Sequence, residues 1–134
     1  MKKGMDRLIW YRGAVVRINL NPPRSHETAG AARPCVIVSR SEFNLHRDCL
    51  TVCPLEGAEH LKRPYPWIVR LDKSEGGLIK DSIVIINQIR TVDKSRYVEY
   101  LGQLNEERLK EIERGLRIYL DMELEDDVRI EDLK

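Results

Sequence analysis

The sequence predicts one mostly β domain: a small, strongly bent antiparallel sheet or barrel with a C-terminal helix packed on it. Three observations carry that prediction. Short alternating or wholly apolar segments recur between Ala14 and Leu101, separated by prolines, glycines and polar stretches. After Asn105 the apolar spacing becomes helical. The 134 residues, 42% of them apolar, are enough for one core and too few for two ordinary domains.

Ala14 to Leu20 (AVVRINL) begins apolar and then alternates, with Val16, Ile18 and Leu20 on one face, which predicts a half-buried strand. Asn21-Pro22-Pro23 ends it, because proline has no N–H for a ladder. Arg24 to Arg33 is polar and too long for a tight hairpin, and loops of that kind in compact domains are usually functional or disordered. Pro34 to Val38 is apolar on both faces and predicts a central strand. Ser41 to Arg47 suits a short helix with Ser41 as N-cap. Further strands are expected at Leu50 to Pro54, Trp67 to Leu71, Ser82 to Asn87, Ile89 to Val92 and Tyr97 to Leu101. Glu75-Gly76-Gly77 is a turn. Asn105 caps a helix with Glu106 and Glu107 in its first turn, and Leu109, Ile112, Leu116 and Tyr119 form its apolar face.

Charge is unevenly distributed. Residues 121–134 hold seven acids against Arg129 and Lys134, a net −5; the whole chain carries +1, which leaves +6 on residues 1–120. A basic body with an acidic tail suits a polyanion partner, and equally suits an ordinary domain with a frayed end. The expected organisation is an N-terminal extension (1–11), one domain (12–122) and an acidic tail (123–134). No apolar run is long enough to span a bilayer, and MKKGMDRLIWYRG lacks a signal peptide's apolar stretch, so the cytoplasm is the expected compartment and no membrane is implied. Cys35, Cys49 and Cys53 are expected as buried thiols, since His46, Cys49 and Cys53 are loosely spaced for zinc and lack a fourth ligand.

G-x-S-x-G, P-loop, G-x-G-x-x-G and H-E-x-x-H signatures are missing. What remains is Arg24-Ser25-His26-Glu27-Thr28, with Arg33 at the loop's end. A base, an acid and a guanidinium can cut RNA: the 2′-OH loses a proton, the 5′ oxygen gains one, and a fixed cation stabilises the phosphorane. A solvated connection with Arg33 in a surface ion pair is the plainer alternative. Arg90, Lys94 and Arg96 suit either backbone phosphates or pairing with Asp81 or Asp93. Tyr65 and Trp67 suit base stacking or packing, with packing expected for Trp67. His46 and His60 are expected in exposed loops.

Several segments, in order, resemble the MazF/PemK family of toxin endoribonucleases: RGAVVRINLNP, SHETAGAARPCVIVS, KRPYPWIVRL, GGLIKDSIVIINQIRTVDKSR and LGQLNEERLKEIERGLRIYL. Together they run from about Arg12 to Met122. The resemblance implies an SH3-like small β-barrel, a homodimer, and cleavage of single-stranded RNA at short sequences without metal or other cofactor. It also implies a cognate antitoxin whose extended acidic segment covers the RNA groove. By position Arg33 matches the family's catalytic Arg of its R-P pair, and Glu27 and His26 match loop residues used for catalysis or RNA contact. Glu56 stands where the family commonly has Thr or Ser, and joins the candidate catalytic set. Arg24, Ser25, Thr28, Asn87, Gln88 and Arg90 are the candidate RNA-binding residues, with Asn87 in place of the usual Asp. Those two departures motivate an alternative: a weakened or non-catalytic member that binds RNA or a protein, as the fold-related CcdB toxins bind gyrase. The acidic tail is further expected to shield part of the basic groove.

Overall fold

The computed structural model describes residues 9–61, 63–122 and 131. Most of the N-terminal extension, Lys62 of the KRPYPWIVRL segment, and the acidic tail apart from Glu131 lie outside the described residues, as does the shielding expected of that tail. Seven strands and two α-helices follow in the order β1 (Ala14–Ile18), β2 (Arg33–Ile37), α1 (Ser41–His46), β3 (Cys49–Gly57), β4 (Val69–Leu71), β5 (Ser82–Val84), β6 (Arg90–Asp93), β7 (Tyr97–Gln103) and α2 (Glu106–Tyr119). All strand pairs are antiparallel, and the sheet order is β4-β5-β3-β2-β1-β7 with β6 also on β3.

The expected class therefore holds: mainly β with one long C-terminal helix. The bend comes from β3, whose first half pairs with β6 (Val52 opposite Arg90) and whose second half pairs with β5 (Leu55 opposite Val84). With β2 also paired to it, this nine-residue strand serves three ladders. Hydrogen bonding does not close the sheet into a ring, so the barrel is open where β4 and β7 form its ends.

Strands β1 to β3 are apolar on both faces because both faces are covered. Val15, Val36, Cys53 and Leu55 join Leu109 and Ile112 of α2 in one cluster. Val16, Ile18, Cys35, Ile37 and Val52 turn the other way, into a second cluster flanked by Trp10, Tyr97 and Tyr100. Alternation along a strand sends successive side chains to opposite faces, so one short strand feeds two cores. Each buried valine or isoleucine contributes roughly 1.5–3 kcal/mol relative to exposure.

Three details differ from the expectations, while Trp67 packs as expected. On α2 the buried positions are Leu109, Ile112, Gly115 and Ile118, while Tyr119 is exposed. The helix turns this way because Gly115 presents no side chain: a Cβ there would lie 3.0 Å from the Trp67 carbonyl oxygen. Ser41 does not cap α1. Arg40 holds the N-cap position, and the Ser41 hydroxyl accepts the Arg12 N–H at 2.9 Å. Among the cysteines, Cys35 and Cys53 are buried, but Cys49 is exposed at the start of β3. Tyr65 and Trp67 stack on each other, ring centroids 4.9 Å apart, with Arg63 over the Tyr65 face at 4.2 Å and Trp67 against the core.

Arg108 ties α2 to the turn before β5. Its Nε donates to both Glu75 carboxylate oxygens at 3.1 Å, and its Nη1 donates to Glu111 at 3.0 Å. Burial pushes the Glu75 carboxyl up, but the Asp72 N–H and Arg108 outweigh it and hold the group below its usual range.

Candidate active site

The β1–β2 loop is built on its own backbone. Asn21 Oδ1 accepts the Gly30 N–H at 3.1 Å, and Leu20 N–H donates to the Gly30 carbonyl at 2.8 Å. At the tip, Arg24 and Glu27 close a turn: the Glu27 N–H donates to the Arg24 carbonyl, and the Glu27 carboxylate accepts the Arg24 N–H, both at 2.7 Å. Arg24, Ser25, His26 and Glu27 are all exposed, whereas Thr28 is buried. Gly30 adopts a φ of +134°, and a Cβ there would lie 3.4 Å from Arg33 Nε. The glycine lets the loop pass close against the Arg33 side chain.

Arg33 opens β2. Continuing the β2–β3 register from Cys35 opposite Pro54 places Arg33 across from Glu56. Antiparallel neighbours of opposite charge would ordinarily be expected to pair, yet no ion pair joins these two among the described residues. Arg33 Nε instead donates to the Ala29 carbonyl at 2.9 Å, and its Nη1 reaches the Leu55 carbonyl at 3.5 Å. Arg33 and Glu56 both line a cavity of about 140 Å³ whose apolar wall includes Pro34, Leu55, Leu78 and Ile79. Arg17 and Lys80 line it too, although sequence reasoning singled out neither. The available signal for Arg17 was its place on the polar face of β1, opposite Pro34.

A second and larger groove, about 430 Å³, takes in Glu27, Asn87, Gln88, Arg90 and Arg96. The structure therefore divides the predicted residues: Arg33 and Glu56 in the small cavity, Glu27 and Asn87 in the large one. The Thr28-Ala29 backbone connects them through Arg33 on one side and Gln88 and Arg90 on the other. Gln88 Oε1 accepts the Thr28 N–H at 3.0 Å, and its Nε2 donates to the His26 carbonyl at 3.3 Å. Arg90 Nη1 donates to the Thr28 carbonyl at 3.1 Å, and Nη2 to Gln88 Oε1 at 2.8 Å.

Among the described residues, the basic residues of β6 and the following turn engage neither Asp81 nor Asp93 in an ion pair. Asp81 pairs with Arg70 at 3.0 Å, and Asp93 accepts the Ser95 N–H at 2.8 Å. Lys94 lies over the Trp10 ring at 4.6 Å, and Arg96 Nη1 donates to the Asn19 and Asn21 carbonyls at 3.0 and 2.6 Å. These side chains fasten the loop and the barrel to one another.

Cys35 and Cys53 lie beneath this region. Burial pushes the Cys35 thiol up to about 12, against the opposing pull of Arg90 and Arg33; burial alone does the same for Cys53. Both are packing groups rather than nucleophiles at neutral pH.

The chain is thus an open, strongly bent antiparallel β domain with one packed C-terminal helix, carrying Arg33 and Glu56 in one cavity and Glu27, Arg90 and Arg96 in an adjoining groove. The sequence model of the PemK-like, MazF-like toxins of type II toxin–antitoxin systems matches residues 11–120, and the chain belongs to that family. It is 34% identical over 109 residues to the endoribonuclease MazF of Staphylococcus saprophyticus, covering 81% of this chain and 89% of that protein. Among solved structures it resembles MazF from Deinococcus radiodurans, with a TM-score of 0.71, 26% identity, and coverage of 84% and 96%. A mycobacterial endoribonuclease solved with its cognate antitoxin has the same fold, with a TM-score of 0.69, 24% identity, and coverage of 86% and 98%. Among the described residues no helix is long and apolar enough to cross a membrane.

Proposed function

We propose that this chain is a cytoplasmic endoribonuclease toxin that cuts single-stranded RNA without a metal and arrests growth by stopping translation. The observation that supports the proposal is the state of Arg33: its guanidinium is tied to backbone carbonyls and lines a cavity shared with Glu56, with which it forms no ion pair among the described residues. Such a group can meet a phosphorane's extra charge without first breaking a salt bridge.

A proton-transfer group takes the 2′-OH proton as the 2′ oxygen attacks phosphorus. The bond to the 5′ oxygen breaks, and a second group protonates that oxygen. Glu56, Glu27 and His26 are the residues for these two roles. Glu56 sits in the Arg33 cavity, while Glu27 and His26 stand on the exposed loop tip. Arg24, Ser25 and Asn87 are exposed, which supports their proposed role in contacting the strand on either side of the cut. The partners that fit are a second copy of the chain and an antitoxin whose extended acidic segment competes for the same groove.

The test is incubation of the purified chain with a long RNA in EDTA, followed by end analysis. Fragments ending in 2′,3′-cyclic phosphate and beginning with 5′-OH are expected. Intact RNA, at every enzyme concentration, refutes the proposal.

A further inference from the structure

We infer that Gln88 and Arg90 are positioning residues for the Arg33 loop rather than contacts to RNA. This rests on the ribonuclease reading of the site. Two side chains from β6 and the turn before it hold one short loop segment at three backbone atoms: the Thr28 N–H, the Thr28 carbonyl and the His26 carbonyl. The two also hold each other, through Arg90 Nη2 to Gln88 Oε1 at 2.8 Å. Arg90 Nε further donates to the Gln88 carbonyl at 3.3 Å, which sets the guanidinium plane. All three nitrogens of the Arg90 fork are thus engaged within the protein.

The segment they hold is the one that holds Arg33. Thr28 is followed by Ala29, whose carbonyl accepts Arg33 Nε at 2.9 Å. A shift of the Thr28-Ala29 peptide therefore moves the shorter of the two backbone anchors of the Arg33 guanidinium found among the described residues. Thr28 is 9% exposed, so its N–H and C=O would be left poorly paired if the clamp opened. The loop is otherwise polar and its tip is exposed, and without such a clamp it would sample many conformations. Displacing a catalytic group by about 1 Å can cost roughly 10²-fold in rate.

A phosphate contact and a clamp make different predictions for the same substitution. An arginine that neutralises one phosphate of a single strand contributes about 0.7 to the slope of log K against log salt. A clamp contributes nothing to that slope, but protects the Thr28 amide from exchange. Lysine replaces a point charge on phosphate, but cannot reproduce a fork that spans Thr28 and Gln88.

The experiment compares the full-length wild type with Arg90→Met, Arg90→Lys and Gln88→Met. It reads Thr28 amide exchange, RNA affinity at several salt concentrations, and kcat at saturating RNA. The clamp predicts faster Thr28 exchange in both methionine variants, a kcat lowered by roughly 10²-fold, and an unchanged salt slope. Arg90→Lys should regain only part of kcat. A slope lowered by about 0.7 in Arg90→Met, with Thr28 protection and kcat unchanged and full recovery in Arg90→Lys, overturns the inference. Gln88→Met removes three loop and clamp bonds but no charge, so it decides the matter if Arg90→Met fails to fold. If the wild type binds RNA without cutting it, the ribonuclease reading fails, while Thr28 exchange and the salt slope still judge the clamp.

Discussion

Replacing Arg33 with alanine removes a guanidinium that is fixed at one end and open at the other. Its Nε bond to the Ala29 carbonyl is 2.9 Å and its Nη1 approach to the Leu55 carbonyl is 3.5 Å, and among the described residues Nη2 has no hydrogen-bond partner. Removal of one preorganised donor to a developing oxyanion costs about 10²–10³ in kcat, or ~2.7–4 kcal/mol. Arg33→Ala also removes the charge, so a loss at the upper end of that range is expected. The structural cost is smaller. A hydrogen bond from a charged donor contributes about 1.5–3 kcal/mol, and the half-buried setting of Arg33 places it at the lower end. Against a domain stability of roughly 5–15 kcal/mol the variant stays folded at 25 °C. Single-turnover cleavage of a short RNA carrying one cut site, with circular dichroism on the same samples, separates the two effects. Arg33→Lys should fall between wild type and Arg33→Ala, because it restores charge without the fork. A folded Arg33→Ala that cuts at the wild-type rate refutes the assignment of Arg33.

Three further outcomes are expected. At pH 8 a bulky thiol reagent should modify Cys49 alone in the native chain and all three cysteines after denaturation; native labelling of Cys35 or Cys53 counts against their burial. Burial raises the Cys35 and Cys53 thiols to about 12. The folded state therefore keeps protons that the unfolded state releases, so their contribution is complete below about pH 9 and is lost as pH climbs toward 12. Urea midpoints between pH 8 and 10.5 should fall, less steeply in Cys53→Ala, and parallel curves would contradict this. Asn105→Ala should destabilise by about 1 kcal/mol in urea melts, because Asn105 Oδ1 caps α2 by accepting the Arg108 N–H at 3.0 Å; Asn105→Asp should retain most of that.

The helix α2 and the order of the strands were legible because period and punctuation are local. Asn105, Glu106 and Glu107 announce the helix start, and the cap forms as expected. The face of α2 was misjudged at Tyr119 because Gly115 leaves no apolar mark in the pattern, although its missing side chain admits the Trp67 carbonyl. The Ile89 to Val92 segment read as strand, and β6 is there, but nothing local reveals that it pairs with the first half of β3 while β5 takes the second.

For the site, residue types and their order along the chain pointed to Arg33, Glu27, His26 and Glu56 without geometry. That reading could not say that Arg33 leaves Glu56 unpaired, nor that Gln88 and Arg90 engage the Thr28 backbone 60 and 62 residues away. The sequence by itself determined the class of fold, the family and the residue types at the site, since each depends on near neighbours or on order along the chain. The tertiary structure alone decided which polar groups meet. Hydrogen-bond partners at a loop are chosen by how a bent sheet brings distant strand ends together, and that depends on register and curvature rather than on residue type.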